Sequence, residues 1–288
     1  LGTCAPCHSR RSQLAEGFLP GAAWLDHYLP VLLEEGAYHA DGQILDEVYV
    51  WGSFLQSRMH GAGVRCSDCH DPHTARVRLP GDATCTQCHG GPRGGEFPGL
   101  AARRYDDSAH HFHPPESEGA RCVSCHMSAR TYMEIDTRRD HSFRIPRPDL
   151  AAITGAPDAC AGCHEDRAPG WAAGEIALRF GAERRAHYGE ILAGARRRDP
   201  ALEPALARLA SDEDAPAIVR ATALALAAGY GGDETSRVLL ESLGHDDPLL
   251  RVGAIRGARR FAPALRWQAL APLLDDARDS QLALLGVH

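Results

Sequence analysis

Beyond about residue 170, apolar positions recur at three- and four-residue spacing, which is typical of amphipathic helices. Two helix-turn-helix units are predicted there, and three positions of their second helices repeat with an offset of 31 residues. Their first helices carry Leu202, Leu206 and Leu209, and Val238, Leu239 and Leu243; their second helices carry Arg220, Ala223 and Leu224, and Arg251, Ala254 and Ile255. The pattern predicts short HEAT-like repeats, with an ordinary helical bundle as the alternative. A third unit begins at Pro263, but Ser280 replaces its arginine, which predicts a degenerate or truncated repeat.

The first part of the chain is rich in Cys, His, Gly and Pro, and we expect it to be mostly loop with short helices. One helix is predicted from Ile44 to about Met59, where Val48, Trp51 and Leu55 complete an apolar face. A second is predicted from Leu25 to Glu35. The change in composition places a domain boundary between residues 169 and 170, so the predicted fold is mainly α with two domains.

Composition and charge narrow the class of protein. The 288 residues are 44% hydrophobic and 24% charged, as in ordinary folded proteins. The net charge of −7 argues against a nucleic-acid partner. No apolar run approaches the roughly 18 residues of a transmembrane helix. The chain opens at Leu1, too close to the first motif at Cys4 for a signal peptide, so we expect a processed or truncated chain.

Five Cys-x-x-Cys-His motifs use all ten cysteines of the chain. They comprise Cys4, Cys7 and His8; Cys66, Cys69 and His70; Cys85, Cys88 and His89; Cys122, Cys125 and His126; and Cys160, Cys163 and His164. Two thiols three residues apart can each form a thioether to a haem vinyl, and the adjacent His then binds the iron as proximal ligand. The motifs predict five covalently attached haems c, so residues 1–169 are interpreted as a pentahaem cytochrome domain and residues 170–288 as an α-helical HEAT-like repeat domain.

Other uses of these cysteines explain the pattern less well. Zinc knuckles pair, and five would leave one over. A disulfide framework leaves the five histidines unexplained, and a thioredoxin-like motif needs a βαβ context. Haem attachment implies export, so we expect a periplasmic or extracellular protein. Because about 34 residues per haem cannot build an ordinary core, haem surfaces should form much of it, and the haem-free protein should not fold.

Eleven histidines remain to supply the sixth iron ligand. We select five from their context: His60 at the end of a predicted helix, His73 just after its own motif, His141 beside Asp140, His111 from the trio 110, 111 and 113, and His39 in a predicted turn, with His27 as its alternative. One or two members of the trio could ligate. His187, His245 and His288 lie in the repeat segment and are expected to be structural. The three methionines are expected to pack rather than ligate.

Several of these stretches together resemble a known superfamily. They are Gly52-Ser53-Phe54-Leu55-Gln56-Ser57, Cys66-Ser67-Asp68-Cys69-His70-Asp71-Pro72-His73, Gly119-Ala120-Arg121-Cys122-Val123-Ser124-Cys125-His126-Met127 and Asp140-His141-Ser142-Phe143. Residues 1–180 resemble the multihaem cytochromes related to pentahaem nitrite reductase and hydroxylamine oxidoreductase, especially relatives that bear HEAT or TPR repeats. The resemblance implies that His73 and His141 are distal ligands and that haems pack closely. The Cys-x-x-Cys-Lys motif of the nitrite reductases does not occur, and no feature singles out a cross-linking Tyr.

Three functions follow from this pattern. The preferred hypothesis is electron transfer between redox partner proteins through mostly bis-His haems, with the repeats docking a partner. The second is an oxidoreductase that acts on a nitrogen or sulfur oxyanion at one five-coordinate haem. The third is a self-assembling subunit of a polymeric cytochrome wire.

Overall fold

The computed structural model describes residues 1–91, 100, 103–275 and 286. Helical residues make up 47% and strand residues 8%, so the fold is mainly α, as the sequence predicts. The helices are α1 (Ala5–His8), α2 (Trp51–Phe54), α3 (Arg58–Gly61), α4 (Cys66–Cys69), α5 (Ala83–His89), α6 (Ser108–His111), α7 (Cys122–His126), α8 (Ala151–Thr154), α9 (Trp171–Phe180), α10 (Tyr188–Arg196), α11 (Glu203–Ser211), α12 (Ala217–Leu226), α13 (Asp233–Ser242), α14 (Pro248–Gly257) and α15 (Pro263–Leu274). The strands are β1 (Arg11–Gln13), β2 (Tyr28–Pro30), β3 (His70–Asp71), β4 (Arg76–Val77), β5 (Ala129–Tyr132) and β6 (Asp136–Arg139). Across the described ranges, no helix has both the length and the apolar character needed to cross a membrane.

The chain forms two compact units. The helical unit contains Leu1–Ser57, Leu150–Ala156 and Glu183–His288, and the motif unit contains Arg58–Asp149 and Pro157–Ala182. Four of the five Cys-x-x-Cys-His motifs therefore lie in the motif unit, and the first lies in the helical unit. This division differs from the boundary predicted between residues 169 and 170.

The core of the helical unit lies between paired helices. Helix α12 packs against α11 and α14, and α13 packs against α11 and α14. The fully buried side chains at these contacts include Leu206, Ile218, Leu224, Leu239 and Leu250. The helices predicted over the two sequence repeats are therefore confirmed. Helix α15 begins at Pro263 as predicted, whereas Ser280 lies outside the described residues.

The N-terminal segment belongs to the helical unit because helix side chains hold its backbone. Arg196 of α10 donates to the carbonyl oxygens of Leu33 (2.9 Å) and Tyr38 (3.0 Å). The N–H of Leu33 donates to Thr222 Oγ1 of α12 (3.1 Å), and Arg256 of α14 donates to the Pro30 carbonyl oxygen (3.1 Å). The amino-acid composition alone does not show these contacts between distant parts of the chain.

Both helices predicted in the N-terminal segment are wrong. Between Ile44 and Met59 only α2 and the start of α3 are helical, and Tyr49 has a left-handed φ of 60°. Ile44, Val48 and Leu55 are buried nevertheless. Their spacing therefore indicates buried positions but does not indicate a helix. The segment from Leu25 to Glu35 instead contains β2, which pairs antiparallel with β1 and ends at Pro30, a residue with no N–H for a helical bond.

The motif unit has a different construction. It consists of short helices, α9, and the two antiparallel hairpins β3–β4 and β5–β6. Among its described residues only two apolar side chains are buried, those of Tyr132 and Ala172. Ile135 is 86% exposed and Met133 75% exposed, so the expectation that the methionines pack is wrong for Met133. The described side chains do not by themselves form a hydrophobic core of ordinary size for this unit.

Candidate haem-binding sites

Four of the five Cys-x-x-Cys-His motifs lie on short helices, and the fifth forms a hydrogen-bonded turn of the same kind. The backbone N–H of the motif histidine donates to the carbonyl oxygen of the first cysteine in His8 (3.1 Å), in His164 (3.0 Å) and in His70. The histidines of the third and fourth motifs end α5 and α7. Because positions i, i+3 and i+4 share one face of a helix, this turn places both thiols and the imidazole on the same side. That is the arrangement required to attach one planar group and bind its metal.

Three motif histidines each face a second histidine at nearly the same spacing. The ring centroids are 6.2 Å apart for His70 and His141, and 6.1 Å apart for both His126 with His110 and His164 with His113. Two imidazoles on opposite sides of one metal ion, each at a metal–nitrogen distance of about 2 Å, have centroids about 6 Å apart. The three pairs therefore have the spacing of paired axial ligands.

Backbone carbonyl oxygens orient one ring of each pair. His141 Nδ1 lies 2.9 Å from the Arg139 carbonyl oxygen, and His126 Nδ1 lies 2.8 Å from the Arg144 carbonyl oxygen. His113 Nδ1 contacts the carbonyl oxygen of His111. A carbonyl oxygen can only accept, so each Nδ1 carries the proton and Nε2 keeps its lone pair. This tautomer is the one in which Nε2 binds a metal.

The trio near residue 110 contributes two rings, and they are not the one selected from the sequence. His110 and His113 face motif histidines, whereas His111 Nδ1 accepts the backbone N–H of His113 (3.2 Å). In neutral His111 the proton therefore lies on Nε2, which leaves that nitrogen without a lone pair for a metal. The turn between the two facing rings contains Phe112 in a left-handed conformation (φ 57°), which the sequence pattern did not reveal.

Gly119 makes room for His113. A Cβ at this position would lie 2.3 Å from Cδ2 and 2.7 Å from Nε2 of the His113 ring. These distances are shorter than any normal contact, so only glycine permits the observed ring position. No sequence feature singled out this role.

Burial favours the neutral form of two of these imidazoles. Burial lowers the pKa of His110, and His126, Arg103 and His111 lower it further. Burial and the neighbouring His126 lower the pKa of His89. Neutral imidazole is the metal-binding form, so both shifts favour ligation near neutral pH.

The cysteines of successive motifs in the motif unit are neighbours. Burial raises the pKa of Cys69, and the nearby Cys85 and Cys88 raise it further. The Cys122 thiol hydrogen-bonds to Cys85, which raises the pKa of Cys122. Burial raises the pKa of Cys160 to about 11, with nearby Asp158 and the thiols of Cys125 and Cys163 contributing. The second to fifth motifs thus form a spatial series in chain order.

The surroundings of the other three predicted distal ligands, His73, His60 and His39, do not indicate whether they bind iron. His73 is exposed, and its backbone N–H donates to Asp71 Oδ1 (2.8 Å). His60 lies in α3 and is half-buried. His39 lies in the predicted turn, where its N–H donates to the Gln43 carbonyl oxygen (2.8 Å) and Gly42 has a φ of 88°. Their assignment as distal ligands stays a prediction.

Two further motif histidines differ from the three pairs. His8 is exposed in the helical unit. The ring of His89 contacts that of Tyr105 edge-on at 6.0 Å, and Tyr105 also contacts His110 at 5.1 Å. The third motif therefore has a tyrosine close to its histidine, and no sequence pattern indicates this neighbour.

Histidines expected to be structural have local backbone roles. His187 is the N-cap of α10, where its Nδ1 accepts the N–H of Gly189 (3.0 Å). His245 Nδ1 accepts the N–H of Asp247 (2.9 Å) in the turn before α14. His288 lies outside the described residues.

No protein-family model, curated protein or solved structure matches the chain. Within the ranges that the structure describes, no group of three or more His, Cys, Asp or Glu side chains converges on a point where it could hold a metal ion. The six paired imidazoles instead provide two nitrogens at each of three positions.

Proposed function

We propose that this chain is a multihaem c-type cytochrome that transfers electrons between redox partner proteins outside the cytoplasm. The observation that carries the proposal is the set of three histidine pairs at 6.1–6.2 Å, each of which joins a motif histidine to a second one. Haem iron supplies one-electron chemistry when it is bound. The protein contributes the thiols, the axial nitrogens and the surroundings that hold them.

The donor set fits haem c better than zinc. A structural zinc ion takes four protein ligands, commonly cysteines of two knuckles. Each pair here offers two imidazoles whose centroids lie 6.1–6.2 Å apart, and the motif cysteines lie on the same side of the turn as the proximal ring. Haem iron would need only two ligands from the protein, and one such pair would supply both. The ligands proposed for three haems are His70 with His141, His126 with His110, and His164 with His113.

The small amount of buried apolar side chain in the motif unit supports the same proposal. Its described residues bury only Tyr132 and Ala172 among the apolar side chains. A unit of this length needs much more buried apolar surface to offset the loss of conformational entropy on folding. Haem macrocycles packed against the motifs would supply that surface.

The second to fifth motifs lie next to one another in chain order, and this supports electron transfer from one haem to the next along the series. The hydrogen bond between Cys85 and Cys122 joins the third and fourth motifs, and the interactions of Cys69 and Cys160 join their neighbours. Thioethers on these sulfurs would hold the edges of consecutive macrocycles close together. We therefore propose the order second, third, fourth and fifth motif for the path.

The pairing of α11 with α12 and of α13 with α14 supports two short HEAT-like repeats in the helical unit. Matching arginines of α12 and α14 donate to the chain just before their own helices: Arg220 to the Ala210 carbonyl oxygen (3.1 Å) and Arg251 to the Asp246 carbonyl oxygen (2.9 Å). We propose that these repeats hold the N-terminal segment and dock a partner. The motifs quoted above support membership of the superfamily of pentahaem nitrite reductase and hydroxylamine oxidoreductase.

The test is a haem count and the spin state of each ferric iron. Intact mass after purification should give five covalent haems per chain, and EPR should give low-spin signals from at least the three paired sites. Adding nitrite or hydroxylamine should leave those three signals unchanged, and carbon monoxide should not bind the same three haems in the reduced protein. A protein without covalent haem, or with high-spin iron at the paired sites, would contradict the proposal.

A second function, that of an oxidoreductase, can be tested at the site of the third motif. The ring neighbour of His89 is Tyr105, so the third haem has a phenol close to its proximal ligand. An oxidoreductase acting on a nitrogen or sulfur oxyanion would use an open iron with such a proton donor nearby. Binding of carbon monoxide at a single haem of the reduced protein, together with oxyanion turnover that falls in Tyr105→Phe, would favour this function.

A further inference from the structure

The turn at residues 139–144 contacts iron-ligand candidates of two different sites. The carbonyl oxygen at its beginning, from Arg139, accepts from His141 Nδ1 (2.9 Å), and the one at its end, from Arg144, accepts from His126 Nδ1 (2.8 Å). His141 faces His70, whereas His126 faces His110. One short stretch of backbone therefore fixes the tautomer of a distal ring at one site and of a proximal ring at another.

We propose that residues 139–144 form a shared ligand-orienting turn that couples the axial geometry, and thereby the reduction potentials, of the second and fourth haems. This inference rests on the function proposed above. Hydrogen bonds to the Nδ1 proton of a metal-bound imidazole orient the ring and increase its basicity, which tunes the metal. A change in the turn should then reach two haems together.

A buried polar network holds the turn in place. Asp140 Oδ1 accepts the N–H of Ser142 (2.8 Å), and Ser142 Oγ accepts from Arg144 Nε (2.9 Å). Asp140 Oδ2 lies 3.9 Å from the guanidinium of Arg144. Asp140 and Ser142 are 9% and 4% exposed, so these bonds are little screened by water. Asp140 thus stabilises the backbone of the turn.

The turn is also anchored to the fourth motif itself. Arg139 Nη1 donates to the carbonyl oxygens of Met127 (3.1 Å) and Val123 (3.4 Å), which close the C-terminal end of α7. The N–H of Asp140 donates to the Ser128 carbonyl oxygen (3.1 Å). Movement of the turn would therefore displace His126 as well as release its Nδ1.

The backbone of the turn is strained at one residue. Phe143 has a left-handed φ of 47°, which is unfavourable for a bulky L-residue. Its ring contacts that of His141 edge-on at 5.8 Å. Strained residues persist where the surroundings over-determine them, often at functional sites. Here the strain lies between the two carbonyl groups that orient the ligands.

Asp140→Ala in the haem-loaded protein tests the proposal. Loss of the carboxylate should shift the EPR g-values and the midpoint potentials of two of the five haems, because both Nδ1 acceptors move. Asp140→Asn keeps an oxygen for the Ser142 N–H and should restore both haems towards the parent values. Thr137→Val, an exposed change in the same hairpin, should leave all five haems unchanged.

The outcomes separate this inference from the proposed function. Two shifted haems, rescued by Asp140→Asn, support the shared turn. A shift of one haem, of none, or of all five to the same extent overturns it, although the parent protein would still be a low-spin pentahaem cytochrome. A parent protein without covalent haems would instead overturn the proposed function. If Asp140→Ala does not accumulate with haem, Ser142→Ala takes its place, because it removes only the hydroxyl acceptor of Arg144. The EPR g-values and midpoint potentials of Ser142→Ala then support or overturn the proposal by the same outcomes.

Discussion

The imidazole rings of His110 and His126 are parallel to within 4°, with centroids 6.1 Å apart. His110 lies in the last turn of the short helix α6, and His126 ends the motif helix α7. The two helix ends place the rings opposite each other, and the Arg144 carbonyl oxygen orients that of His126. His110, and not its neighbour His111, is therefore the axial partner that we propose for His126.

His110→Ala should convert one of the five haems from low spin to high spin. Removal of the imidazole leaves the iron of the fourth motif with a single axial histidine. The ferric EPR spectrum should lose one low-spin signal and gain one high-spin signal, and carbon monoxide should bind the reduced protein. His111→Ala is the matched control, because the His111 ring accepts only the N–H of His113. If His111→Ala produced the high-spin haem and His110→Ala did not, the assignment from the ring pairs would be wrong.

Gly119→Ala should disturb the haem of the fifth motif. The new Cβ would lie 2.3 Å from His113 Cδ2, so the ring must leave its position opposite His164. We expect loss or broadening of one low-spin EPR signal and a changed potential for that haem. Gly174→Ala is the control, since a Cβ at this helical position meets no atom within 4 Å. Identical spectra for the two variants would show that His113 is not a ligand.

Haem removal should unfold the motif unit and spare the helical unit. The described residues of the motif unit bury only Tyr132 and Ala172, whereas α11–α14 have a continuous apolar core. Protein made without haem attachment should therefore keep slow amide exchange in α12 and α14 and lose it between residues 58 and 149. Hydrogen exchange with mass spectrometry on the haem-loaded and haem-free proteins measures this. Equal protection of the two units without haem would contradict the expectation.

The features of the fold that can be predicted from the sequence are those determined by residues close together in the chain. The repeated spacing of Leu206 and Leu239 predicts α11 and α13, because an amphipathic helix is a local structure with an apolar face. The context of His141 beside Asp140 predicts a ligand, and its ring lies 6.2 Å from that of His70, so its ligation stays a prediction with a defined partner. The helix predicted from Ile44 failed because the same spacing arises in a loop that packs on other parts of the chain.

The parts that the sequence could not predict depend on contacts between distant residues. The positions of the His110 and His113 rings opposite motif histidines depend on the left-handed turn at Phe112 and on the space above Gly119. The carbonyl groups of Arg139 and Arg144 orient rings irrespective of their own side chains, so no residue type could reveal them. Backbone geometry of this kind leaves no pattern in the residue types.

Arg251→Ala should destabilise the helical unit, because its guanidinium is buried (4% exposed) and binds backbone groups. It donates to the carbonyl oxygens of His245 (2.5 Å) and Asp246 (2.9 Å) in the turn between α13 and α14. Removing a charged donor and leaving these acceptors without it should cost about 2–3 kcal/mol of the free energy of unfolding. Arg237→Ala is the control, because its pair with Glu241 is exposed and worth less than about 0.5 kcal/mol. Thermal unfolding followed by far-UV circular dichroism should give a lower midpoint for Arg251→Ala only, and equal midpoints would show that the arginine does not hold the turn.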